Sequence, residues 1–156
     1  MLTVTVSIAS GLEQGHEEDQ PTSAVSLERF VHAQEKTYAR ALAELKAGEK
    51  TGHWIWWIFP QLRGLGTSHN STFYGIADEA EALAYLKHPV LGPRYRECVA
   101  AIHIHFCHCG VDPEALMGSE IDVLKLRSSL ELFLKQAPVS EAQIRARISA
   151  ILNAHI

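Results

Sequence analysis

The chain is predicted to fold as an all-α single compact domain, about six helices packed around a buried central helix. Three observations carry this. Apolar residues recur at three-to-four spacing through most segments; Ser, Asp or Pro stands where those segments begin and Gly or Pro where they stop; and the one run that alternates like a strand has no second run to pair with. A chain of 156 residues, 47% hydrophobic and 21% charged without low-complexity tracts, can bury a self-sufficient core as one domain.

Residues 1–25 read as an N-terminal tail. LTVTVSI (2–8) suits one strand, but GLEQGHEEDQPTS (11–23) behind it has the composition of a linker. The helical domain is expected over residues 26–156. Its first helix is predicted from Ser26 as N-cap, with Leu27, Phe30, Val31, Tyr38, Ala41, Leu42 and Leu45 on one face, and it ends at Gly48. The aromatic segment HWIWWIFPQLRGLG (53–66) follows and breaks at Pro60, whose ring and missing N–H forbid a helix through that point. Glycines and hydroxyls make LRGLGTSHNSTFYG (62–75) a loop. Asp78 caps a short helix bearing Ala82, Leu83 and Leu86, stopped by His88-Pro89.

A longer helix is predicted with Pro93 at its first position behind Gly92, carrying Tyr95, Val99, Ile102 and Phe106 and ending near Gly110. The turn DPEAL (112–116) leads to Ser119, which with Asp122 resembles a capping box. The helix it opens, EIDVLKLRSSLELFLK (120–135), is apolar on most sides, which predicts the central position. Ser140 and Gln143 suggest a second capping box for a last helix with Ile144, Ile148, Ile151 and Leu152.

Composition excludes several classes of function. A formal net charge of -4 without any Lys/Arg cluster argues against a nucleic-acid partner, which needs a basic face. No apolar run reaches the ~18 residues of a membrane span. The apolar start MLTVTVSIASG lacks a basic flank and is followed by acidic residues, so it reads poorly as a signal peptide. Three cysteines, Cys98, Cys107 and Cys109, are an odd set too close together for a secreted framework, so a cytoplasmic setting is expected.

Four stretches bear on chemistry. Aromatics as dense as those of residues 53–66 either plug a core or floor a pocket, and His53, Gln61 and Arg63 at the edges make the pocket worth weighing. On the helix after Ser119, Asp122, Lys125 and Ser129 fall within about 60° of one another. A solvated Asp–Lys pair explains that stripe; so does an anion held by Lys125 and oriented by its two neighbours. The loop TSHNSTFYG (67–75) supplies Ser68, His69, Asn70, Ser71 and Thr72, a set that suits an anion or sugar and is equally the ordinary material of turns.

The run HIHFCHC (103–109) is the metal suspect. Closed zinc sites draw ligands from two separated knuckles, and no C-x-x-C occurs, so half-buried small residues with solvent-facing histidines are preferred; no metal ligand and no cofactor is predicted. There is no G-x-S-x-G, no G-x-G-x-x-G and no Walker-type loop, and Cys98 lies in a helical pattern where it packs rather than reacts.

Four segments together, RFVHAQ (29–34), HWIWWIFPQLRGLG (53–66), AYLKHPVLGPR (84–94) and D-x-x-K-x-x-S-S (122–129), resemble a small helical bacterial family of unknown function. Its members often carry the label calpastatin, which has no physical basis in these residues. The resemblance implies a mainly helical single domain and no established activity. It also implies that Arg29, Gln34, His53, Gln61 and Lys87 gather in space. This chain departs from the family in its longer N-terminal tail and in QAPVSEAQIRARISAILNAHI (136–156), which replaces an apolar end.

The leading expectation is a soluble domain that binds a small anionic metabolite, phosphorylated or nucleotide-like. Trp54, Trp57 and Phe59 would form the pocket floor, with His53, Gln61, Ser68, Ser71, Lys87, Asp122, Lys125 and Ser129 as the polar wall. Its enzymatic version is a hydrolase with Asp122 as general base. The rival is a non-catalytic protein-interaction module, in which the tryptophans are core and the protein partner is unspecified. Tryptophan burial separates the two.

Overall fold

The structure, a computed structural model, describes residues 21–156, with side chains from Leu27 onward except Ala154. The first twenty residues of the expected tail therefore lie outside the described residues. The described residues form nine α-helices. They are α1 (Pro21–Glu35), α2 (Tyr38–Ala47), α3 (Ile55–Ile58), α4 (His69–Phe73), α5 (Glu79–Lys87), α6 (Leu91–His103), α7 (Pro113–Met117), α8 (Glu120–Gln136) and α9 (Ala142–Ala154). A π-helical turn, Ile104–His108, continues α6. Six of these helices have nine residues or more, which matches the all-α reading; the other three are single turns. None of the described helices is long and apolar enough to cross a membrane.

Several boundaries differ from the sequence reading, each for a local reason. The first helix begins at Pro21, so Ser26 lies inside it and is not its N-cap. It also breaks before Tyr38, because the Thr37 hydroxyl donates to the Ala33 carbonyl (2.6 Å) while accepting the indole N–H of Trp57 (2.9 Å). α6 begins at Leu91 rather than Pro93; the His88 imidazole caps it, its Nδ1 accepting from the Val90 and Leu91 amides. The Ser140–Gln143 capping box does not form. α9 starts at Ala142 behind Glu141, whose carboxylate pairs with Arg96.

Other starts and stops are as predicted. Asp78 caps α5 (Oδ1 to the Glu81 amide, 2.9 Å), Ser119 caps α8 (Oγ to the Asp122 amide, 3.1 Å), and Gly48 closes α2 in the left-handed conformation.

The core is aromatic at its centre. Tyr95 and Phe133 lie 4.4 Å apart between ring centroids, with Tyr85, Phe30 and Phe59 stacked edge-on or tilted around them. α6 packs against α2, α5 and α9, and α8 against α3, α5, α7 and α9. α8 is central in its packing but buries one side only: Leu126, Ser129, Leu130, Leu132 and Phe133 face in, while Ile121 and Leu124 face out.

Candidate functional site

The site is built around α3, and helical phase decides which aromatic faces where. Ile55, Ile58 and Phe59 stand at i, i+3 and i+4 and are buried, so Trp56 and Trp57 point the other way. Trp54, just before the helix, is buried at 2% exposure; its indole N–H donates to Glu44 Oε1 (2.9 Å) and the Lys50 ammonium lies 5.0 Å over its ring. Trp57 spends its N–H on Thr37 and packs against Tyr74 (5.1 Å). Trp56 is the indole left for the surface.

Two loops complete the surroundings. The first, after α2, is organised by Glu44, whose Oε1 accepts from the Thr51 amide (2.8 Å), the Gly52 amide (2.9 Å) and Trp54. Burial pushes this carboxyl up, but the bonds from Gly52, Trp54 and Thr51 outweigh it and hold it at about 2. The second loop folds back through a parallel bridge between Leu62 and Ile76 and is tied to α1 by Arg29. That guanidinium bonds the carbonyls of Phe73 and Gly75 while pairing with buried Glu81 (3.1 Å). Gly75 is required there, since a Cβ would come within 2.7 Å of the Arg63 Cα.

Between these loops and α8 lie two adjoining hollows. The first faces α4 and holds about 310 Å³, with Leu62, Leu65, Tyr74, Ile121 and Leu124 as apolar walls and Gln61, Asn70, Ser71 and Ser128 at its polar edge. The second, about 360 Å³, is lined by Lys50, Thr51, His53, Ser119 and Asp122. Trp56 and Lys125 line both.

Lys125 lies 4.7 Å over the Trp56 ring and 3.7 Å from Asp122 Oδ1. Lys50, almost fully buried, donates to Asp122 Oδ2 and to the Gly52 carbonyl, both at 2.7 Å. Two ammonium groups thus face one carboxylate at the junction of the hollows.

Of the residues expected at a pocket, Gln61, Ser71 and Lys125 meet in the first hollow and His53, Asp122 and Lys125 in the second. Six stand elsewhere. Trp54 is core and Trp57 is committed to Thr37 and Tyr74, so neither lines a hollow, and Phe59 is fully buried. Ser68 caps α4 through the Ser71 amide (3.2 Å). Lys87 is exposed at the end of α5 and lines neither hollow. Ser129 is buried and bonded to the Tyr95 hydroxyl (3.0 Å).

Sequence reasoning missed Trp56 and Lys50. It placed Lys125 but missed Ile121, Leu124 and Ser128 beside it, whose spacing is legible as one helix face once α8 is known to bury the opposite side. Ser129→Ala is expected to cost about 1–2 kcal/mol in urea unfolding, because it strands a buried tyrosine hydroxyl, and to leave Lys125-dependent binding alone. A loss of binding with unchanged stability would return Ser129 to the site.

The histidine–cysteine run lies across the end of α6 and the π turn. His105 is pinned to the Lys46 carbonyl (2.9 Å), and the π register brings the His103 and His108 rings to 5.2 Å. Among the described residues no group of three or more His, Cys, Asp or Glu stands where it could hold a metal. Cys98 is buried and its thiol is pushed up to about 12 by that burial, the state of a packing residue rather than a nucleophile.

Comparison with known proteins bears on this geometry. Residues 24–154 match a family model described as a protein of unknown function, DUF1810. The crystal structure of a conserved hypothetical protein from Mycobacterium tuberculosis is 43% identical, with a TM-score of 0.70 over 80% of this chain and 84% of that one. No curated protein matches the chain. Neither description states an activity, a ligand or a partner.

Proposed function

The chain belongs to the DUF1810 family of proteins of unknown function, and from that premise we propose that it binds a small phosphorylated metabolite carrying a flat, ring-bearing group. One observation carries the proposal: Lys125 lines an apolar hollow with its ammonium over the face of a half-buried indole. The ring of the ligand lies against Trp56 and Tyr74, the leucines exclude water from its other side, and Lys125 meets the phosphate. Gln61, Asn70 and Ser71 give the rim its hydrogen-bonding specificity. A cytoplasmic setting agrees with this ligand class.

Hydrolysis with Asp122 as general base is less well supported than binding. Both oxygens of that carboxylate already face lysines, at 2.7 and 3.7 Å, so its role is to hold the two ammonium groups in place. The rival reading, a protein-interaction surface, is favoured by one feature: Leu65, Ile121 and Leu124 are each more than half exposed around the first hollow.

Thermal denaturation against AMP, UMP, sugar phosphates and inorganic phosphate separates the readings. A ligand at about 100 times its Kd adds roughly 2.7 kcal/mol. The expected result is a shift with the ring-bearing phosphates that disappears in Lys125→Ala while that variant stays folded. No shift with any of them would remove the metabolite reading and leave the apolar rim as a protein-binding surface.

A further inference from the structure

Two side chains, Trp56 and Lys125, line both hollows and stand between them. We infer that the hollows are the two ends of one groove, and that its ligand is bipartite: a ring-bearing group and a sugar-like group joined through a diphosphate held at Lys125. This rests on the binding reading above and extends it from the first hollow to both.

Size and chemistry argue for it together. At about 310 and 360 Å³, each hollow alone stands near the lower end of small-molecule sites, which run from about 300 to 1,000 Å³. The first is walled by leucines, an isoleucine and a tyrosine and suits a flat apolar face. The second offers the hydroxyls of Thr51 and Ser119, the imidazole of His53 and the carboxylate of Asp122, which are partners for the hydroxyls of a sugar.

The wall itself can yield. Lys125 stands 3.7 Å from Asp122 Oδ1 and 4.7 Å from the Trp56 ring, while Asp122 keeps its shorter contact of 2.7 Å with Lys50. Drawing the Lys125 ammonium onto a phosphate therefore leaves Asp122 paired. The Trp56 indole N–H is buried and finds no acceptor among the described residues. An oxygen arriving as the lysine moves supplies one, and the ring offers the joined groove a donor as well as a face.

The test is calorimetric titration of the full chain with two pairs of probes, AMP against ADP-ribose and UMP against UDP-glucose. In each pair the second member adds a second phosphate, completing the diphosphate, and the sugar. The expected result is at least tenfold tighter binding of the bipartite member for one pair, a ratio that falls towards one in His53→Ala, and weakened binding of both members in Lys125→Ala. The indole N–H resonance of Trp56 moves on titration with the bipartite probe. Equal affinity within both pairs, with His53→Ala leaving the ratio unchanged, overturns the groove and leaves the single-hollow reading standing. If no probe of either pair binds, the phosphate reading falls and the groove with it.

Discussion

Replacing Trp54 with alanine is expected to destabilise the protein by about 3–5 kcal/mol, while the same change at half-buried Trp56, two residues on, costs about 1–2 kcal/mol. Trp54 is 2% exposed, packs against Phe59 at 6.4 Å between centroids and underlies the Lys50 ammonium. A Cβ on Gly52 would meet its ring at 2.8 Å, so the loop above is fitted to the indole with no slack. Removing it opens a cavity in the core, empties one of the three bonds on Glu44 Oε1, and takes away the surface that Lys50 rests on. Trp56 has one face on the hollows and an N–H without an acceptor among the described residues, so its loss opens no cavity of that kind. Urea unfolding of both variants, beside binding of AMP, measures the contrast. A Trp54→Ala variant within about 1 kcal/mol of the parent, or a Trp56→Ala variant as unstable as Trp54→Ala, would overturn the assignment of one indole to the core and the other to the site.

That contrast also marks how far the sequence is legible. Composition singles out residues 53–66 but does not phase them. Which indole faces out depends on a single turn, Ile55–Ile58, flanked by a loop and a proline, and one turn is too short for periodicity to act on. The same limit hid α4 and α7. Their caps, Ser68 and Asp112, are plain in the sequence, yet five residues of helix behind each cap give no repeat. On α8 the stripe was found but assigned one position off. Ser129 and Ser128 are adjacent, and the burial of Leu126, Leu130 and Phe133 turns Ser129 inward to Tyr95 and Ser128 outward to the hollow. Lys50 could not have been found at all. It is a single lysine after a helix-ending glycine, and the carboxylate it meets is 72 residues away. The long helices are local properties, and their caps at Asp78, Ser119 and Gly48 were legible for that reason, whereas the start of the first helix, its break before Tyr38 and a site assembled from two loops and one helix face are set by tertiary packing.

Acid is expected to weaken the protein through Glu44, and Glu44→Gln is expected to remove that weakness. The folded carboxyl is held at about 2 against an ordinary value of 4.5, so it contributes stability that is fully present above pH 4.5 and is lost as the pH falls through 2. Allowing for its partial exposure, that contribution is on the order of 2 kcal/mol. All three N–H donors from the site loop converge on Oε1, and Arg40 meets Oε2 at 2.9 Å. Glutamine with its carbonyl in the Oε1 position keeps the three bonds and gives up the charge and the exposed arginine contact. Its stability at pH 7 should therefore fall modestly, and its curve should run flatter than the parent's between pH 4.5 and 2. Glu44→Ala abandons all three donors, one of them on the buried Trp54, and is expected to cost about 3 kcal/mol at pH 7. Because Thr51 and Gly52 line the second hollow, that variant should also blunt any preference for a bipartite ligand. Denaturant unfolding of the three proteins across the acid range reads the difference directly, since other carboxyls titrate equally in parent and Gln variant. Parallel curves for those two would show that the acid sensitivity lies elsewhere, and that the loop holding Lys50 and His53 is fixed by packing on Trp54 rather than by the charge on Glu44.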